Sequence, residues 1–100
     1  MPFRLIFQPE AERQLQDLEL DKDKRDLSKL KKVRKCLAYL EADPRHPGLE
    51  THEYVSLRGV HGEKVWEAYV ENKTPSAWRI FWHYGPDQGM IAVVAITPHP

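Results

Sequence analysis

The chain has 100 residues, 41% of them apolar and 30% charged, and its 15 basic and 15 acidic side chains leave no formal net charge. This is the composition of a single globular domain, residues 1–100, with one core; it excludes a disordered tail and argues against a strongly basic nucleic-acid-binding module. Cys36 is the lone cysteine, so no internal disulfide can form, and neither a membrane span nor a signal-peptide core is present, which makes a cytoplasmic protein the expectation.

Residues 3–8 predict a short strand in which Phe3, Leu5 and Phe7 alternate with Arg4 and Gln8. Pro9 suits the first position of a helix, where its missing N–H is no loss, and Glu10 and Glu12 complement the positive end of the helix dipole. Ala11, Leu15 and Leu18 then recur at helical spacing. A charged break over residues 20–26 separates this helix from a second, with Asp26 as its expected N-cap and Leu27, Leu30, Val33, Leu37 and Leu40 as its apolar stripe. Asp43-Pro44 ends it, because the residue before a proline is pushed out of the helical region.

Residues 43–54 read as a loop and residues 54–58 as a short strand. Residues 63–71 alternate Val65, Glu67 and Tyr69 against Trp66, Ala68 and Val70, which predicts a strand followed by a turn over residues 72–75. In residues 77–84 one face carries Trp78, Ile80, Trp82 and Tyr84, the other Ala77, Arg79, Phe81 and His83. A Gly- and Pro-containing turn leads to a last apolar strand over residues 90–97. The order is strand, helical hairpin, then an antiparallel meander: an α+β, two-layer arrangement with helices on one sheet face and an open second face.

Chemistry, if present, is expected on that open face. There is no Gly-rich phosphate loop, HExxH or GxSxG, and the five histidines have no zinc-ligand spacing, so neither cofactor nor metal is expected. Glu67 and Arg79 point to that face, as does His99 if the extended chain continues past Pro98, and the three form a workable set for metal-independent RNA cleavage by the 2′-hydroxyl. That reaction needs a base, a proton donor for the 5′-oxygen and a cation for charge developing on phosphorus. The alternatives are a cross-strand ion pair between Glu67 and Arg79 and a frayed His99 near the terminus. Trp66, Trp78 and Trp82 are expected in the core rather than as base-stacking platforms. Residues 22–35 carry eight basic side chains against two acidic ones. Lys29, Lys32 and Lys35 on this ridge, with Arg58 and His83, are candidates for RNA contact; a solvated helix face is the other reading.

The ordered set of segments, a first strand, a helical hairpin, "SLRG", "KVWEAYV", "AWRIFWHYG" and "MIAVVAI", resembles the RelE/ParE superfamily of bacterial type II toxins. The resemblance implies a two-layer RelE/ParE-like fold and a toxin neutralised by a cognate antitoxin. It implies either a ribosome-dependent mRNA endoribonuclease that inhibits translation or, as in ParE-like members, a DNA gyrase inhibitor; an inactive antitoxin-binding protein is a further alternative. By the same resemblance Arg79 is the phosphate-contacting catalytic arginine, and His99 lies near the terminal catalytic histidine of YoeB-type members. The carboxylate base falls in residues 49–54, where Glu50, His52 and Glu53 compete.

Overall fold

The computed structural model describes residues 2–20, 24–72 and 77–98. Five strands form one mixed sheet: β1 (Arg4–Phe7), β2 (His52–Arg58), β3 (Lys64–Tyr69), β4 (Trp78–Tyr84) and β5 (Met90–Pro98), in spatial order β1-β5-β4-β3-β2. Strands β2 to β5 are the expected antiparallel meander. β1 closes the far edge in parallel with β5, pairing Arg4 with Met90 through to Phe7 with Val93. The helices α1 (Pro9–Leu20) and α2 (Lys24–Ala42) cover one face, and a single 3-10 turn, Pro47–Leu49, follows them.

α1 begins at Pro9 as expected, and it buries Ala11 and Leu18. α2 buries Leu30, Val33, Cys36, Leu37 and Leu40. Leu27, assigned to this stripe from the sequence, is 49% exposed, because the packed surface begins one turn later. α2 starts at Lys24, so Asp26 lies inside the helix and is not its N-cap. Cys36 is buried filler, and burial pushes its thiol up to about 12.

The helix layer meets Ala68 of β3, Ile80 and Trp82 of β4 and Ile91, Val93 and Ile96 of β5, with Trp66 and Trp78 packed beside them. All three tryptophans therefore belong to the core side. Tyr84, expected in that core, is 41% exposed at the strand end. The pairing of Phe81 with Ala95 and of Trp82 with Val93 leaves Val94 over, a bulge that lets Val93 and Ile96 face the helices together. β1 has ended by then, and Gln14 of α1 accepts the Ile96 N–H at 2.7 Å in its place. Among the described residues no helix is long and apolar enough to cross a membrane.

Candidate functional site

Strand parity puts Val65, Glu67 and Tyr69 of β3, Arg79, Phe81 and His83 of β4, and Ala95 and Thr97 of β5 on the face turned away from the helices. The expectation of an open surface here is corrected. Glu67, Arg79 and His83 are only 7%, 8% and 5% exposed. Tyr54 of β2 reaches across β3 to pack on Phe81 of β4 with ring centroids 4.9 Å apart, the Tyr69 ring lies over Arg79, and irregularities interrupt the β2–β3 and β4–β5 ladders. This sheltered face, with its cleft beside Tyr54 and Phe81, is termed the trough.

Arg79 is the cross-strand partner of Tyr69, and its guanidinium lies 3.7 Å from that ring's centroid. Its Nη1 donates to the carbonyl oxygens of Glu71 (2.7 Å) and Trp78 (3.1 Å). These acceptors exist because β3 is irregular as it ends: the N–H groups of Val70 and Glu71 both point to the Trp78 carbonyl, which frees the Glu71 carbonyl to meet the guanidinium. Nε is buried without a hydrogen-bond partner among the described residues. One amino group thus anchors the arginine while another edge of the fork keeps donor capacity.

The next member of the row is on β2. His52 is the register partner of Glu67, and its exposed ring meets Tyr69 edge-on at 5.4 Å and 71°. His52, Tyr69 and Arg79 therefore form a contiguous row across three strands, with Glu67 between His52 and Phe81 in the ladder. From the sequence His52 is one of three competitors in a loop, and Tyr69 has no role. Counting back through the β3–β4 hairpin to place Tyr69 opposite Arg79 is the signal that identifies the row.

The other expected site residues are dispersed. Glu50 has left-handed backbone (φ 47°), a costly conformation for a non-glycine residue, and its carboxylate accepts from Asn72 Nδ2 at 2.6 Å. It lines a cleft with Trp66, Trp82 and Tyr84 on the helix side of the sheet rather than in the trough. His83 sits at the far end of β4, its Nδ1 2.8 Å from the Tyr84 carbonyl oxygen, which can only accept, so that nitrogen carries a hydrogen. Backbone N–H groups of Glu63 itself and of His61 hold the nearby Glu63 carboxyl below its usual range, helped by the His83 and His61 imidazoles. Arg58 lies six residues along β2 from His52, ~20 Å for an extended strand, and its Nη1 is 3.7 Å from Glu53. His99 lies outside the described residues.

On α2, Lys29 stands 4.7 Å over the Trp78 ring and 4.0 Å from Glu71, and Lys32 is 3.5 Å from the same carboxylate. Lys35 lies 5.7 Å over Tyr39. Lys32 and Lys35 border a cleft of about 360 Å³ that residues Tyr69 and Val70 at the end of β3 also line. Among the described residues no cluster of histidine, cysteine and carboxylate groups could hold a metal.

No family model matches the sequence, and no curated protein does. Solved structures do match over almost the whole chain. A YoeB/ParE toxin from Agrobacterium tumefaciens superposes with a TM-score of 0.70 at 10% identity, covering 97% of this chain and 99% of that one. A YoeB dimer from Staphylococcus aureus gives 0.64 at 12% identity with both chains fully covered. The archaeal RelE–RelB complex from Pyrococcus horikoshii OT3 gives 0.64 at 15% identity, covering 98% and 96%. The chain has the α+β fold of RelE/ParE-superfamily toxins.

Proposed function

We propose that the protein is the toxin of a type II toxin–antitoxin pair and acts in the cytoplasm as a ribosome-dependent mRNA endoribonuclease that halts translation. The observation that carries this reading is the His52–Tyr69–Arg79 row beside Glu67, held in the trough of a fold shared with YoeB/ParE and RelE structures. In the reaction, Arg79 binds the scissile phosphate and offsets charge as it develops on phosphorus. His52, the exposed imidazole of the row, takes the proton from the 2′-hydroxyl. The 2′-oxygen bonds to phosphorus, the bond to the 5′-oxygen breaks, and the leaving oxygen receives a proton, a role that falls to His99 as the resemblance implies. The products are a 2′,3′-cyclic phosphate and a 5′-hydroxyl end. Glu67 is the cross-strand partner of His52 and stands beside it in the row. Lys32 and Lys35 offer the approaching backbone a positive flank. The partner in the Pyrococcus structure is an antitoxin, and a cognate antitoxin is the expected protein partner here.

A second reading has one observation in its favour. Arg79 is nearly buried and bound to two backbone carbonyls, as a purely structural arginine would be. On that reading the chain is a ParE-type gyrase inhibitor or an inactive antitoxin-binding protein. His52→Ala separates the two, because His52 is exposed and its loss leaves Arg79 in place. After induction, the wild type should cut messages within codons and His52→Ala should cut ~10²–10⁴-fold more slowly. Intact messages with double-strand DNA breaks, from wild type and variant alike, would establish gyrase as the target.

A further inference from the structure

Along the trough from Arg79, the sheet leaves a cleft of about 300 Å³ lined by Tyr54, Ser56, Leu57, Phe81, Ala95 and Thr97. Register ties it to the cation. Thr97 is the cross-strand partner of Arg79, and Ala95 is that of Phe81. Phe81 follows Arg79 by two residues on the same face, ~7 Å along the strand. The aromatic surface is built from two tilted rings, Tyr54 and Phe81, at 59° to one another. Ala95 contributes only a methyl group, which leaves space above the strand, and Ser56 and Thr97 bring hydroxyl groups that donate or accept.

We propose that this cleft is the base-binding subsite of the trough and takes the nucleobase of the nucleotide whose phosphate Arg79 holds. A ligand that uses both parts must carry a planar apolar group joined by a short linker to an anion. A nucleotide is built this way, with base and phosphate on one ribose. The base packs against Tyr54 and Phe81, and its polar edge meets Ser56 and Thr97, so these four residues set which base precedes or follows the cut. Recognition of unstacked bases by aromatic side chains and edge hydrogen bonds is how single-stranded RNA is read. The biological ligand assumed here rests on the ribonuclease reading, whereas the binding itself does not require cleavage.

The test is a methyl-NMR titration of the free protein with the four nucleoside 5′-monophosphates and with ribose 5-phosphate. The mononucleotides should shift the Ala95 and Thr97 methyl signals, whereas ribose 5-phosphate should leave Ala95 unmoved. Tyr54→Ala should weaken mononucleotide binding at least about fivefold without changing the response to ribose 5-phosphate. Thr97→Val, nearly isosteric, should alter the ranking of the four bases with the fold retained. Methyl signals that no mononucleotide moves would overturn the subsite, and so would shifts that neither variant changes. A wild-type protein that binds mononucleotides in this cleft but cuts no message would refute the ribonuclease reading and leave the subsite standing.

Discussion

On the helix side of the sheet, Ile80, Trp82, Ile91, Val93 and Ile96 are closed over by apolar residues of α1 and α2. On the trough side, Glu67, Arg79 and His83 are nearly as buried, yet among the described residues no helix covers them; aromatic contacts such as Tyr69 on Arg79 and Tyr54 on Phe81 lie on that face. Burial by helices is matched to an apolar surface and stabilises the fold through area removed from water. Burial in the trough is imposed on charged and titratable groups, which costs free energy unless each is hydrogen-bonded or paired. Arg79 offsets part of that cost through its bonds to the Glu71 and Trp78 carbonyls.

The comparison can be broken by mutating each side in turn. Trp82→Ala on the helix side should be the most damaging, with ~3–5 kcal/mol lost in denaturant unfolding as a large cavity opens. A loss under about 1 kcal/mol would mean that the helix layer is loosely packed. Arg79→Ala should cost less, ~1.5–3 kcal/mol, because it removes charged donors from the Glu71 and Trp78 carbonyls at the hairpin end. It should also abolish growth arrest even where the protein remains folded. An Arg79→Ala protein that is as stable as wild type would show that the guanidinium does not anchor that turn. Arg13→Ala, which removes only the solvent-exposed pairs to Glu10 and Asp17, should leave the unfolding midpoint unchanged.

The same contrast separates what is legible in the sequence from what is not. The helix side is written in local periods: the spacing from Leu30 to Leu40 and the alternation of Trp78, Ile80 and Trp82 give both elements and inward faces. Parity alone also puts Glu67 and Arg79 together on the second face. The face that shelters them also carries ladder irregularities and a Tyr54 that crosses a whole strand, and neither leaves a mark in residue spacing. The parallel pairing of β1 with β5 is a contact between chain ends that periodicity cannot express. Glu50 and His52 are two residues apart in one loop-like segment, yet the left-handed turn at Glu50 directs it to Asn72, and the β2 register delivers His52 to Tyr69. Asp26 shows the smaller error that arises where a helix starts earlier than its cap residue suggests, and Leu27 one where an apolar residue at helical spacing lies short of the packed surface.

The central claim is that His52, and not Arg79 alone, makes the trough a catalytic surface. It is tested most directly by the single-turnover rate at which purified wild type and His52→Ala cut messenger RNA on programmed ribosomes, with unfolding curves recorded on the same samples. The account predicts overlapping unfolding curves, within about 0.5 kcal/mol for an exposed residue, and a cleavage rate lowered at least about a hundredfold in the variant. Equal cleavage rates from two equally stable proteins would contradict it.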